Sequence, residues 1–133
     1  MRIMLDTNIL ISMIFFPSEQ TYKFKQLICS DNELILCDYV LEELRLVVER
    51  KFPSKKVEME QFFVELPFEL VHTPRGISFD EYPSVRDQKD SPILATAIME
   101  NIDIFVTGDK DFLVLAVDNP KIITMAQFIE DYN

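Results

Sequence analysis

The sequence predicts an α/β protein built on a parallel β-sheet. Short runs of apolar residues alternate with longer amphipathic segments along all 133 residues. The runs are apolar throughout instead of alternating with polar residues, which is typical of strands covered on both faces of a parallel sheet. Because the chain has no internal repeat, no low-complexity tract and no linker, residues 1–133 are expected to form a single domain.

Five short apolar runs are the strand candidates. In chain order they are RIML at 2–5, ELILCD at 33–38, FELVH at 68–72, DIFVTG at 103–108 and KIIT at 121–124. Each is brief and apolar, and several end in a polar turn. We therefore interpret each run as a buried strand.

Helices are predicted in the segments between these strands. Their ranges are 8–15, 19–30, 39–51, 54–65, 92–101, 110–116 and 125–132. Apolar residues recur at helical spacing in the third of these, and Pro53 ends it. Thr7 or Asn8 is expected to cap the first helix and Asp38 the third, since short polar side chains favour the N-cap position. Residues 73–90 form the longest predicted loop.

Composition limits the class of protein. The net charge of −10 argues against a nucleic-acid-binding protein with a broadly basic surface, but not against a nuclease whose acids gather in one cleft. The two cysteines form no zinc-binding or disulfide pattern. No secretory signal is visible, and the longest early apolar run, ILISMIFF, is far shorter than the roughly 20 residues that span a bilayer. A cytoplasmic protein without a membrane segment is therefore expected.

Two aspartates follow predicted strands. Asp6 directly follows the first strand, and Asp109 follows the fourth after Gly108, which we expect to permit the turn. Ligands of open parallel sheets bind beyond the carboxyl ends of the strands, so these two aspartates are expected to face each other across neighbouring strands. The structural alternative for each is a turn or cap residue.

Two further acids lie on predicted helices near the same edge. At about 100° per residue, Glu42 points to solvent and Glu43 lies at the border of the apolar stripe, so only Glu43 can reach inward. Asp90 lies just before the helix that begins near Pro92, which brings it toward this edge. Its structural alternative is N-capping, shared with Ser91.

Convergence of these four carboxylates would need a cation. Carboxylates in one place repel one another and raise each other's pKa, and a divalent ion relieves that repulsion. A ligand set of oxygens without Cys or His suits Mg²⁺ or Mn²⁺. Acid clusters of this kind serve in-line displacement at phosphorus, where the metal activates water and shields the charge on the phosphate.

Four motifs in order, MLDTNILIS, LEEL, DSPILATA and VTGDKDF, resemble those of the PIN domain family. The match is closest to the small prokaryotic VapC-like toxins and covers nearly the whole chain. The resemblance implies a three-layer α/β/α sandwich with a central parallel sheet of four to five strands. It also implies Mg²⁺- or Mn²⁺-dependent endoribonuclease activity on RNA. For members that are toxins, it implies a small antitoxin partner that occludes the site, and homodimers.

The resemblance also implies roles for individual residues. Four positions match the family's metal-binding acids: Asp6, Glu43, Asp90 and Asp109. Asp111 matches a common fifth carboxylate, with capping of the short helix after it as the alternative. Asn8 and Thr107 match polar positions that support the ligands.

The chain departs from the family pattern at two places. Asp38 stands before the third helix, where Ser or Thr is common, and adds negative charge near the site. Ser91 and Pro92 follow Asp90, where Asn is usual. Asp87 lies three residues before Asp90 and is the other candidate for the same role, and Asp90 is preferred because it adjoins the helix.

The resulting hypothesis has Asp6, Asp90 and Asp109 holding one metal ion directly. Glu43 would act through water or help to hold a second ion, and Asp111 would be peripheral. Since no histidine lies near these motifs, a water activated by the metal is the expected nucleophile.

Basic residues offer weaker signals. The segment from Arg45 to Lys56 is interpreted first as a solvated helix end, where cations suit the helix dipole. Lys89 and Lys110 lie beside the proposed ligands and are better placed to contact a phosphate. His72 ends a strand-like run and is interpreted as structural.

Two other functions fit parts of the pattern. A receiver domain or a haloacid-dehalogenase-like phosphatase also gathers acids and Mg²⁺ at this edge of a sheet. A receiver, however, needs an acid pair after its first strand, and the phosphatase needs an Asp where this chain has Asn8. A non-catalytic interaction module with the PIN fold is the third possibility, and the intact acid set argues against it.

Overall fold

A parallel sheet forms the centre of the part of the chain that the computed structural model describes, residues 1–74, 78–79 and 82–133. Its five strands lie in the order β3-β2-β1-β4-β5, and every neighbouring pair is parallel. They are β1 Arg2–Leu5, β2 Glu33–Cys37, β3 Glu69–Val71, β4 Ile104–Val106 and β5 Lys121–Ile123. The five predicted strands are therefore confirmed.

Helices connect and cover these strands. They are α1 Thr7–Phe15, α2 Glu19–Ile28, α3 Asp38–Lys51, α4 Lys56–Glu65, α5 Ser91–Met99, α6 Lys110–Leu113 and α7 Met125–Tyr132, with 3₁₀ turns at Pro53–Lys55 and Gln88–Asp90. The strand order reverses direction at β1, so right-handed crossovers place helices on both faces of the sheet. The predicted α/β fold is confirmed. No helix in the described ranges has the length and apolar content needed to cross a membrane.

Aromatic pairs join the outer helices to the core. Phe105 of β4 packs edge-to-face on Phe112 of α6, with ring centroids 5.1 Å apart. Phe24 of α2 packs in the same way on Phe128 of α7, at 5.3 Å. All four rings are fully buried, so these contacts position the short helix α6 and the last helix against the rest of the core.

One arginine holds the amino edge of the sheet. The Arg2 guanidinium lies 3.0 Å from Glu33 Oε2, 3.2 Å from Glu69 Oε2 and 3.6 Å from Glu100 Oε2. These carboxylates belong to the starts of β2 and β3 and to the end of α5. Each partly exposed pair contributes little free energy by itself, but together they compensate the negative charge at this edge.

The predicted caps of two helices are wrong. Asp6 caps α1, since its carboxylate accepts a hydrogen bond of 2.8 Å from the N–H of Thr7. The third helix begins at Asp38 itself, and the Asp38 carboxylate accepts from the N–H of Thr73 at 2.8 Å and contacts His72 Nδ1 at 3.1 Å. The segment after β3 lies beside the start of α3. The Asp38 carboxylate therefore accepts a hydrogen bond from the backbone of Thr73 instead of capping the helix.

Two smaller predictions also need revision. The predicted helix 54–65 is a 3₁₀ turn followed by α4. Within the predicted loop 73–90, residues 75–77 and 80–81 lie outside the described residues.

Replacing Phe105 tests the aromatic core. The change Phe105→Ala removes a fully buried ring and its contact with Phe112, and we expect it to lower the free energy of unfolding by about 3–5 kcal/mol. Urea unfolding followed by circular dichroism measures this loss. The control Val114→Ala removes a side chain that is 77% exposed and should change stability by no more than about 0.5 kcal/mol. A similar, small effect of both changes would contradict this account of the core.

Candidate metal centre

Asp6 and Thr107 meet at the carboxyl ends of β1 and β4. These strands pair in parallel with Leu5 opposite Val106, so the residues that follow them are neighbours. The Thr107 hydroxyl donates a hydrogen bond of 2.7 Å to Asp6 Oδ2. Asp6 is 5% exposed and Thr107 is fully buried. The contact between them therefore forms the floor of the site.

Asp109 is positioned by two hydrogen bonds. Its N–H donates to Thr107 Oγ1 at 3.0 Å, so a single hydroxyl links Asp6 to Asp109. Its carboxylate Oδ1 accepts from the N–H of Asp111 at 2.9 Å and thereby caps α6. Capping by Asp111, one of the two roles considered for it, is therefore wrong. The Asp111 carboxylate lies instead 3.7 Å from Arg86 Nη1.

Asp90 closes the 3₁₀ turn that precedes α5. It occupies the N-cap position of α5, yet its side chain makes no capping hydrogen bond, so N-capping does not explain this carboxylate. The pKa of Asp90 is raised to about 7, first by burial and then by neighbouring carboxylates. Those carboxylates are Asp6, Asp87, Asp109 and Glu43. Asp90 thus lies within electrostatic reach of the other three predicted ligands.

Glu42 and Glu43 point to different sides of α3. Glu43 is half-buried, and its charge raises the pKa of both Asp6 and Asp90. Glu42 is exposed and pairs with Arg45, whose Nη2 lies 2.6 Å from Glu42 Oε1. The helical geometry predicted for the two glutamates is confirmed, while a functional part for Glu43 stays a prediction.

The acids are not balanced by basic side chains. Burial raises the pKa of Asp6 despite hydrogen bonds from Thr107 and Thr7, and the charges of Glu43 and Asp109 raise it further. Within the described ranges, none of the four predicted ligands forms an ion pair with Lys or Arg. The amino edge, where Arg2 meets three glutamates, is the opposite case. Negative charge at the carboxyl edge is therefore concentrated and uncompensated among these residues.

The donor chemistry fits a hard divalent cation. Among the described residues, no group of three His, Cys, Asp or Glu side chains already has the geometry of a metal site. The charges of the neighbouring acids nevertheless raise the pKa of Asp6 and of Asp90, so the four carboxylates lie within electrostatic reach of one another at this edge. Mg²⁺ prefers oxygen ligands and usually keeps several waters, so carboxylates at one edge of the sheet suit it without a closed protein cage. Oxygen donors without Cys or His suit Mn²⁺ as well.

The other residues considered in the sequence analysis lie outside the group of four acids. Asn8 is exposed in the first turn of α1, and its supporting role stays a prediction. The Asp87 carboxylate is exposed and accepts from the N–H of Lys89 at 3.0 Å, which is a turn-forming role. Lys89 and Lys110 are both exposed. His72 is not part of the core, because its side chain is 79% exposed.

Tyr39 links helix α3, which carries Glu43, to the turn that carries Asp90. It was not identified from the sequence as part of the site. Its hydroxyl donates a short hydrogen bond to the carbonyl of Lys89, the residue before Asp90. Burial raises the pKa of Tyr39, and the charges of Glu43 and Asp90 raise it further. The available signal was its position four residues before Glu43, which puts both side chains on one face of α3. The contact with Lys89 joins residues 50 apart in the chain, and no local pattern indicates it.

The chain is similar to a known family and to solved structures. A family model described as a PIN domain matches residues 2–111. The structure of VapBC2 from Rickettsia felis, bound to a DNA fragment from their promoter, is similar with a TM-score of 0.70 at 22% identity, over 92% of this chain and 97% of that chain. VapC20 from Mycobacterium tuberculosis, a sarcin-ricin loop cleaving toxin, gives a TM-score of 0.60 at 16% identity, over 87% and 97% of the two chains. No curated protein matches the sequence.

The raised pKa of Asp90 predicts how stability depends on pH when metal is removed. Between the ordinary value of 3.8 and the folded value of about 7, the folded chain holds a proton that the unfolded chain has released. Asp90 therefore favours the folded state less as the pH rises through this window. In EDTA, we expect Asp90→Asn to raise the melting temperature relative to the wild type at pH 8, with the difference disappearing near pH 4.

Thermal unfolding followed by circular dichroism measures this difference. The control Glu130→Gln removes an exposed carboxylate on α7. Its melting temperature should differ from that of the wild type by the same amount at pH 4 and at pH 8. An advantage of Asp90→Asn that is equal at pH 4 and pH 8 would contradict the raised pKa.

Proposed function

The chain belongs to the PIN domain family, whose model matches residues 2–111, and from this premise we propose that it is a metal-dependent endoribonuclease. The family predicted from the four sequence motifs is thereby confirmed. The proposed reaction is hydrolysis of phosphodiester bonds in RNA. The observation that carries the proposal is a group of four carboxylates, two of them directly beyond β1 and β4, where the strand order reverses and open parallel sheets bind their ligands. Among the described residues, none of the four forms an ion pair with Lys or Arg.

We propose Mg²⁺ or Mn²⁺ as the cofactor. Asp6, Asp90 and Asp109 would hold one ion directly, and Glu43 would hold a water or help with a second ion. A bound divalent ion supplies activation of water and neutralises charge on the phosphate. The raised pKa of Asp90 supports this assignment, since neighbouring carboxylates without a cation favour protonation.

The chain's own residues orient these ligands. Thr107 donates to Asp6 and accepts from the N–H of Asp109, so the two aspartates cannot move independently. Tyr39 ties the turn before Asp90 to α3, the helix that carries Glu43. Positioning groups of this kind set how well a site binds its metal, and loss of one typically costs tenfold or more in affinity.

We further propose that the protein is the toxin component of a toxin–antitoxin system. What supports this is the shared fold with VapC20, a sarcin-ricin loop cleaving toxin, and with VapBC2. This proposal implies two partners. One is a small antitoxin that covers the acid site, and the other is a second copy of the toxin in a homodimer.

Asparagine variants of two aspartates test the nuclease. The amide that Asp6→Asn introduces can still accept from the N–H of Thr7, and the amide that Asp109→Asn introduces can still accept from the N–H of Asp111, so both variants should fold. Each change removes a negative ligand, and we expect cleavage of a defined RNA with Mg²⁺ or Mn²⁺ to fall by at least about a hundredfold. EDTA should abolish wild-type cleavage, and added metal should restore it.

Three results would contradict different parts of this proposal. Full activity of both variants would contradict the assignment of these aspartates as metal ligands. Wild-type activity that persists in EDTA would contradict the proposed dependence on a metal ion. An acid-labile phosphoryl adduct on the protein would instead favour the phosphatase or receiver class.

The adjacent glutamates of α3 provide a matched pair. Glu43→Gln removes the half-buried carboxylate and should weaken Mg²⁺ binding by about tenfold, measured by isothermal titration calorimetry. Glu42→Gln removes an exposed carboxylate that pairs with Arg45 and should leave the Mg²⁺ affinity unchanged. Equal effects of the two changes would contradict the inward role of Glu43. Absence of Mg²⁺ binding by the wild type at millimolar metal would favour a non-catalytic interaction module.

A further inference from the structure

A groove of about 360 Å³ adjoins the acid site on the side of β4 and α1. It is lined by Thr107 and Gly108, by polar side chains that include Ser12 and Gln20, and by Phe16 at its edge. We call it the neutral groove, because none of the described residues that line it is charged. Thr107 belongs to both the groove and the acid site, where it binds Asp6. The groove and the acid site are therefore adjacent, with the buried Thr107 between them.

The fold does not require the glycine at position 108. The backbone of Gly108 lies outside the left-handed region, and a Cβ placed there would meet no heavy atom within 4 Å. The expectation that Gly108 serves the turn is therefore wrong, since another residue could adopt the same backbone. The missing side chain leaves open space beside the backbone of Gly108, which lines the groove and directly precedes Asp109 in the chain. A bulky residue would fill that space.

Charge favours this groove, together with a smaller cavity of about 250 Å³ whose described lining residues, such as Gln88 and Ser91, are also uncharged, as a path for a polyanion. The larger cavity beside the start of α3 is lined by Asp38 and Glu42, and the one near the amino edge is lined by Glu33 and Glu69. In a chain with a net charge of −10, a phosphate is repelled least where the walls carry no carboxylate. The first turns of α2 and α7 also border the groove. The positive end of the α7 dipole lowers the repulsion further, whereas Glu19 in the first turn of α2 offsets the dipole of that helix.

An exposed aromatic ring stands at the edge of the groove. Phe16 is 60% exposed, although it contacts Phe52 edge-to-face at a centroid distance of 6.1 Å. Much of the ring is therefore open to solvent. Proteins that bind single-stranded nucleic acid commonly stack bases on aromatic side chains of this kind, without sequence readout.

We propose that the neutral groove binds the nucleotides of single-stranded RNA next to the scissile phosphate. Gly108 leaves room for the sugar–phosphate backbone as it passes from the groove to the acids, and Phe16 stacks a base. This inference rests on the proposed nuclease function. It adds a substrate-binding site outside the four acids, together with two residues that determine how RNA is held.

A graded series at position 108 tests the passage. Gly108→Ala and Gly108→Leu should fold, with melting temperatures equal to or above that of the wild type, since the added atoms meet open space. We expect the KM for a short single-stranded RNA to rise with side-chain size, on the order of tenfold to a hundredfold for leucine. The Mg²⁺ affinity, measured by calorimetry, should stay within about twofold of the wild type, because no acid is removed.

A second variant tests the groove away from the acids. Phe16→Ala should raise the KM for RNA about fivefold to a hundredfold with little change in kcat, and Phe16→Tyr should restore binding because tyrosine also stacks. The control Tyr22→Ala removes another aromatic ring, 65% exposed on α2 and outside the groove lining, and should leave the KM unchanged.

The results separate this inference from the proposed function. If the wild type cleaves RNA but the KM is unchanged in both Gly108→Leu and Phe16→Ala, the groove assignment is overturned and the nuclease stands. If the wild type cleaves no RNA, the nuclease assignment fails, and binding of fluorescent single-stranded RNA to the same variants still reports on the groove. Loss of RNA binding in Phe16→Ala, with retention in Tyr22→Ala, would support it in either case.

Discussion

The parallel pairing of β1 with β4 is the constraint on which the candidate site depends. It brings Asp6 and Thr107, 101 residues apart in the chain, within hydrogen-bonding distance. The oxygen of the same Thr107 hydroxyl also accepts a hydrogen bond from the N–H of Asp109. A shift of one residue in this register would move every side chain of the shifted strand to the opposite face of the sheet. The geometry of two predicted ligands is thus a property of strand pairing, and α3 and α5 need only supply Glu43 and Asp90 at the rim.

The two edges of the sheet treat negative charge in opposite ways. At the amino edge, Arg2 lies among three glutamates and compensates them. At the carboxyl edge, burial and neighbouring carboxylates raise the pKa of Asp6 and bring that of Asp90 to about 7. Charges held in this way destabilise the fold, and strongly shifted groups cluster where a protein binds or reacts. The contrast within one small sheet is a physical argument for function at the carboxyl edge.

What the sequence predicts well is what local patterns determine. Brief apolar runs indicated five strands, and the acids that follow two of them were placed at one edge because parallel strands share a direction. Helical periodicity separated Glu43 from Glu42. The cap at Asp6 was missed, and the cap predicted at Asp38 is absent because its carboxylate accepts from the N–H of Thr73, a donor that only the folded chain brings close. The bond from Tyr39 to the carbonyl of Lys89 was out of reach for the same reason.

The net charge of −10 becomes easier to understand once binding and catalysis are placed in different parts of the site. The acids suit a metal ion and repel a free phosphate, so they hold RNA poorly by themselves. The neutral groove adds contact area without carboxylates, and an exposed phenylalanine offers stacking that needs no positive charge. Binding by stacking and fit neutralises few phosphates and so depends less on salt than binding through lysine and arginine does. An acidic chain can therefore hold a polyanion where its surface is uncharged, and leave the compensation of the scissile phosphate to the metal.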